Sequence, residues 1–282
     1  MGLARGTASS HCAPIMKTVI QLYNNIKQKV KFLYQRMKLD TQENIKGRKL
    51  AIPIPETIAL GIFKQENNIA TKKSLFNIFH PPCSYKTLVV NLNRFARLAL
   101  YMLALLLKCN RSNSHLVKYT DSTDIPVCLN KNARNHKTMA GLAAWGHSGK
   151  GWFFGLKLHL TCDFARKVLA VKFTSGNIHD KQIFLKLNKG LLGIFVADAA
   201  YLSQKLQQDF FIEHKRILFA KPRKNMKKLI TGFQNFLYGT RMSIELNFRS
   251  LKLFYGLVTS LPHSVHGYLA NYTYSLLAYL IA

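Results

Sequence analysis

Acidic residues are what this chain has fewest of. Twelve Asp and Glu stand against forty-one Lys and Arg in 282 residues, a formal net charge of +29. A field of that sign concentrates polyanions and speeds their encounter. DNA, RNA and an anionic membrane are all polyanionic partners. No basic amphipathic helix dominates and the basic residues are interleaved with aromatics, which favours nucleic acid. CxxC spacing is also missing. The five cysteines, Cys12, Cys83, Cys109, Cys128 and Cys162, are odd in number. That pattern argues against a disulfide framework or a zinc site and for reduced thiols in cytoplasm. Long apolar runs are lacking too. Leu98 to Leu107 is uncharged but bounded by Arg97 and Lys108. It falls short of the roughly 20 residues that span a bilayer and reads as a buried helix. Met1 to Pro14 has no signal-peptide core and reads as a disordered extension, with Met16 as an alternative start. No internal repeat is visible.

What is present divides in two. Residues 16–50 are basic and place Ile20, Tyr23, Ile26, Val30, Leu33 and Met37 at helical spacing. Pro53 and Pro55, then Pro81 and Pro82, punctuate the pattern. Ser84 to Leu107 reads as a long helix carrying Leu88, Leu92, Phe95, Leu98 and Met102 on one face. Asn110 to His115 reads as a polar linker. Beyond it the period changes. Val117–Cys128, Phe154–Leu160, Val168–Phe173, Ile194–Ala197 and Ile217–Ala220 read as strands. Asp180–Leu187, Ser203–His214, the stretch from Gly239 and the tail from Tyr268 read as helices. Strands first, then strands alternating with helices, make a mixed α/β sheet with helices packed on it. The expected organisation is an extension at 1–15, a helical DNA-binding region at 16–112 and a catalytic core at 115–282.

Asp121 and Asp198 each follow a short strand expected to lie centrally, where an ionised carboxylate is costly unless paired or metal-bound. The bland reading makes them turn or cap residues. On a helix from Gly239, Arg241, Glu245 and Lys252 fall near one face, because spacings of four and seven return to nearly the same azimuth. The bland reading there is a surface Arg–Glu pair. Asp124 is three residues from Asp121 and would face the other side of the strand. His159, Asp163, His179 and Asp180 are set aside as structural, and Trp152 and Phe154 as core. Lys131, Arg134, His136 and Lys137 form one basic cluster. Lys221, Arg223, Lys224, Lys227 and Lys228 form another. Both are suited to phosphate contact.

The order Tyr238, Arg241, Glu245, Lys252 resembles the signature around the third acid of bacterial insertion-sequence transposases of the DDE type. Asp121-Ser122-Thr123 with Ile125-Pro126-Val127-Cys128 resembles the first-acid segment of such a family. Gly151 to His159 resembles its next strands, Gly176-Asn177 with Asp180 the following turn, and Val196 to Tyr201 the second-acid segment. The resemblance covers residues 115–282 and implies a ribonuclease-H-like, retroviral-integrase-like core. It implies Asp121, Asp198 and Glu245 as catalytic metal ligands for Mg2+ or Mn2+. DNA contact falls to Tyr238, Arg241 and Lys252, joined by Lys131, Arg134, Lys137, Lys221, Arg223 and Lys224 of the two basic clusters. The implied activity is cleavage of double-stranded DNA at the element's terminal repeats and joining of the 3′-hydroxyl to target DNA, by a homo-oligomer assembled on paired ends.

The family pattern has Lys-Gly where this chain has Ala199-Ala200. Loss of a basic side chain and a flexible glycine weakens DNA contact or activity. With an end at Ala282 that lacks a polar tail, it supports an alternative: a decayed copy that binds DNA without cutting it. A nuclease that cuts without joining is a further alternative.

Overall fold

The computed structural model describes residues 12–39, 49–213, 215–222, 226 and 229–282. Most of the expected 1–15 extension lies outside them, as do the basic residues Arg223, Lys224, Lys227 and Lys228. Four helices come first: α1 (Cys12–Arg36), α2 (Ile54–Glu66), α3 (Lys72–Phe79) and α4 (Tyr85–Ser112). Ser84 starts α4 by accepting from the Thr87 N–H at 3.2 Å. Leu88, Leu92, Phe95, Ala99 and Met102 then form its buried stripe. The expected linker begins as helix, since α4 runs to Ser112. The polar side chains there have partners inside the protein. Asn110 donates to the Val168 carbonyl at 2.9 Å and Arg111 to the Leu169 carbonyl at 2.7 Å.

β1 (Val117–Pro126), β2 (Ala144–Ser148), β3 (Gly151–Asp163) and β4 (Val168–Ser175) follow, then α5 (Asp180–Leu187), β5 (Ile194–Ala197), α6 (Gln204–Ile212) and β6 (Ile217–Ala220). α7 (Gly232–Thr240), α8 (Met242–Leu253) and α9 (Val265–Ile281) complete the described elements. β3 pairs antiparallel with β1 along one edge and with β2 and then β4 along the other. β1 pairs parallel with β5, and β5 parallel with β6. Four strands paired antiparallel through β3, continued by two parallel ones, with helices on both faces, form a six-stranded ribonuclease-H-like mixed sheet.

The pleat sorts side chains to two cores. Tyr119, Ile125, Leu158, Leu160 and Val196 join the large cluster under α1–α4 and α7–α9. Leu169, Phe195, Ala197, Leu218 and Ala220 join a smaller one under α5 and α6. The large core crosses the boundary expected at 112–115. Tyr274 of α9 donates to the Leu92 carbonyl of α4 at 2.9 Å, and Gln65 of α2 donates to Ser275 Oγ at 3.0 Å. Gly61 makes the α2–α9 approach possible, since a Cβ there would meet the Tyr274 ring at 2.7 Å. α4 is long and apolar enough to cross a membrane by length and composition. Its apolar stripe is instead buried in this core.

Three sequence expectations need correcting. β1 stops at Pro126 rather than Cys128. Trp152 is 64% exposed and Phe154 only half-buried. The cause is β2, a strand the sequence pattern did not signal. It pairs with residues 151–155 in a hairpin that leaves Trp152 outside the core. Asp121 does not end its strand. β1 continues past it because β3 is long enough to pair as far as Gly155.

Candidate catalytic site

Asp121 marks the place where β5 leaves β1. The parallel pairing runs from Val117–Ile194 to Thr120–Ala197 and stops. One residue further along that register, Asp121 and Asp198 come side by side at the opened edge. Tyr119 and Val196, two residues earlier on each strand, belong to the same large core, so by alternation both acids emerge on the α8 side. Asp198 heads a tight turn at Ala199–Tyr201, closed by the Tyr201 N–H on the Asp198 carbonyl at 3.0 Å. Its carboxylate makes no hydrogen bond and no ion pair among the described residues.

The third acid arrives on a helix. α7 opens with a reciprocal capping box between Thr231 and Gln234. Two phenols anchor its far end. Tyr119 donates to Thr240 Oγ1 at 2.8 Å, and Tyr238 donates to the Ala220 carbonyl at 3.2 Å. Tyr238 thus spends its hydroxyl inside the protein. The anchored end places Arg241 at the junction with α8 and Glu245 in the first turn of α8, where the helix dipole favours an acid. Arg241 donates through Nη1 to Asp121 Oδ2 at 2.8 Å and through Nη2 to Glu245 Oε1 at 3.1 Å. Asp121 and Glu245 therefore flank one guanidinium. Arg241 and Asp121 are each under a fifth exposed, whereas Glu245 is half exposed.

The electrostatics are those of crowded carboxylates. Burial pushes the Asp121 carboxyl up to about 6; Arg241 and the Ser122 N–H pull it down, and the charges of Asp198 and Asp180 push it up again. One arginine does not fully neutralise this group. Lys252 is likewise held inside, 3.1 Å from Asp124 Oδ1, with its ammonium pushed below the ordinary lysine value by burial. By contrast Lys131, Arg134, Lys137 and Lys221 are exposed. Arg223 and Lys224 lie outside the described residues.

Two residues that sequence reasoning had set aside or passed over join this neighbourhood. Asp180, at the start of α5, lies 3.3 Å from Lys157 Nζ and 3.7 Å from His159 Nδ1. Burial pushes His159 down to about 4, so its ring is neutral at pH 7. Tyr201 is buried, and that burial, helped by the charges of Asp180, Asp121 and Asp198, raises its phenol well above the ordinary value. The available signal for Asp180 was the scarcity of acids itself.

A mixed sheet of this order, flanked by helices, is the ribonuclease-H-like fold that the sequence resemblance implied. A family model described as a transposase DDE domain matches residues 111–266. The chain belongs to that family. It is a DDE-type insertion-sequence transposase, and DNA is the substrate of such a protein. No curated protein and no solved structure matched the chain.

Divalent-metal chemistry goes with the DDE family, and the transposase's own residues fit it in kind. The candidate donors are carboxylate oxygens, which suit a hard divalent cation. Asp121 is raised chiefly by burial and further by the charges of Asp198 and Asp180, and a dication would offset both. Among the described residues, no three His, Cys, Asp or Glu side chains stand together as a ready-made metal cage. Arg241 occupies the place between Asp121 and Glu245 and serves as their counter-ion.

Proposed function

We propose that Asp121, Asp198 and Glu245 are the DDE acids of this transposase and that together they hold Mg2+ or Mn2+. The observation that supports this reading best is the single guanidinium shared by Asp121 and Glu245, with Asp198 beside Asp121 in register. A cation bound there would supply positive charge for attack on a phosphodiester. The protein's part is to hold the acids ionised and close, and to keep the reacting phosphate beside them. Arg241 neutralises two of the acids at rest and is free to turn to a phosphate once another cation replaces it. The first reaction is attack by water at the element's end, which breaks the P–O bond to the 3′-oxygen. The freed 3′-hydroxyl then attacks a target phosphodiester in line, forming a new P–O bond as the bond to the target's own 3′-oxygen breaks and that oxygen leaves as a hydroxyl. No covalent enzyme intermediate enters either step.

The exposed cations Lys131, Arg134, Lys137 and Lys221 contact phosphates flanking the site, and Arg223 and Lys224, next to Lys221 in sequence, are further candidates for phosphate contact. The helical region at 16–112 contributes discrimination for the terminal repeat, and two or more chains pair the ends. The test is divalent-metal-dependent cleavage and joining of a duplex carrying the element's terminal repeat. Parental protein should cut and join; Asp121→Asn, Asp198→Asn and Glu245→Gln should bind the duplex without cutting it. Strand transfer by these variants at the parental rate would remove the three-acid assignment.

A second reading rests on Ala199 and Ala200. Ala200 is exposed beside Asp198, where a basic side chain or a glycine would meet DNA. If the parental protein binds terminal DNA and never cuts it, while Ala199→Lys with Ala200→Gly restores cutting, this copy is a DNA-binding remnant.

A further inference from the structure

Near the acids the transposase holds a donor with no acceptor and an acceptor with no donor. The donor is Tyr201. Its side chain is 1% exposed, and its hydroxyl has no hydrogen-bond partner among the described residues. A phenylalanine would fill the same space without burying an unmatched O–H, so the hydroxyl is kept at a cost to folding. The acceptor is Asp198, three residues earlier on the same tight turn, whose carboxylate has neither hydrogen bond nor ion pair among the described residues.

The packing seats Tyr201 against the helix that begins at Asp180. The Tyr201 ring meets Phe184 of α5 edge-on, with centroids 5.5 Å apart. Phe184 lies one helical turn beyond Asp180, so the two share a face of α5. Lys181, beside Asp180, donates to the Leu202 carbonyl at 2.8 Å and locks the first turn of α5 onto the loop that carries Tyr201. The charges that bear on the phenol are, in order, those of Asp180, Asp121 and Asp198, opposed by Arg241.

We propose that Tyr201 is a positioning residue for the carboxylate site: its hydroxyl donates to the carboxylate of Asp198 or of Asp180 when these acids gather on a divalent cation. One oxygen of that acid accepts the phenol and the other is left to face the cation. This rests on the assignment of Asp121 and Asp198 as metal-holding acids. It adds a residue outside the DDE triad and makes Asp180 a neighbour with a role at the same site.

The test compares full-length parent, Tyr201→Phe and Asp198→Asn by Mn2+ titration calorimetry, with and without a short duplex, alongside thermal melting without metal. Tyr201→Phe should melt at or above the parental temperature without metal yet bind Mn2+ about three- to tenfold more weakly, the worth of one hydrogen bond. Asp198→Asn should lose most Mn2+ binding. Unchanged Mn2+ affinity in Tyr201→Phe, with Asp198→Asn impaired, overturns the role of Tyr201 and leaves the acids standing. Equal Mn2+ binding by parent and Asp198→Asn overturns the acid assignment and this proposal with it. A Tyr201→Phe protein that melts well below parent shows that the hydroxyl has a partner in the resting fold, which also overturns the proposal.

Discussion

The two cationic regions of this transposase differ in what they neutralise. Around β1 and α8, Arg241 and Lys252 are mostly buried and each lies against a carboxylate of β1. On the rim, Lys131 and Arg134 sit on a short turn at Asn130–Asn135, followed by Lys137, and Lys221 follows β6. All four rim cations are exposed. By sequence all six are basic residues suited to phosphate. In the fold, two are counter-ions that make a cluster of acids tolerable, and four belong to the field that draws a polyanion in. A net charge of +29 therefore overstates what DNA meets at the acid-bearing strands and describes the rim well.

The largest effect that sharpens this contrast is on catalysis. Asp121→Asn should lower strand transfer by about a thousandfold, in line with the several kcal/mol a bound cation contributes, while terminal DNA stays bound. Single-turnover cleavage with a parallel binding assay checks it, and near-parental cleavage would dissolve the distinction between the two regions.

The same carboxyl should leave a pH signature. Asp121 is raised from 3.8 to about 6 in the fold. Between those values the folded chain holds a proton that the unfolded chain has lost. Burying Asp121 therefore subtracts stability at pH above about 6, and the penalty is relieved as pH falls toward 4. The shift corresponds to at most about 3 kcal/mol. The stability of Asp121→Asn relative to parent should be greatest above pH 6 and decline by that order toward pH 4. Urea melts at several pH values measure it, and a difference flat across the window would mean that Arg241 already holds Asp121 ionised.

Arg241→Ala comes next. It leaves Asp121 buried without its counter-ion, a loss of about 1–3 kcal/mol at neutral pH. The half-exposed Glu245 side of the pair contributes little of this. Asp121→Asn combined with Arg241→Ala should cost less than the two changes added, and strict additivity would show that the pair is not coupled.

How much of this was legible beforehand follows from what each signal encodes. Strand alternation and the run at 194–197 placed Asp121 and Asp198 at the ends of central strands, and i,i+4 spacing joined Arg241 to Glu245. These are local periodicities, which a sequence displays directly. The Arg241–Asp121 contact spans 120 residues and the Lys252–Asp124 contact spans 128. Such pairs depend on strand order and on where β5 ends, which no local pattern encodes. Tyr201 was visible only as the end of the second-acid segment, since its setting depends on α5 docking against the turn. Trp152 was misjudged because aromatic content suggested core, while a hairpin lifts it outside.

The smallest effect separates the two cation classes most directly. Each exposed rim cation that contacts phosphate should release about one counterion, so Lys131→Ala, Arg134→Ala, Lys137→Ala and Lys221→Ala should each reduce the salt slope of DNA binding by about one unit. None should change stability by more than about 0.5 kcal/mol, because none has a side-chain partner among the described residues. Lys252→Ala should behave differently. Its ammonium is already matched by Asp124, so removing it leaves the local charge that DNA feels less altered than its formal loss of one charge implies. It also strands Asp124 beside incoming phosphate. The salt slope should then move by clearly less than one unit while affinity at low salt falls. Binding isotherms across a salt series for the five single variants measure both quantities. A full unit of slope for Lys252→Ala, equal to the rim variants, would mean that Lys252 exchanges Asp124 for phosphate on binding, and the division between counter-ions and DNA contacts would fail at that residue.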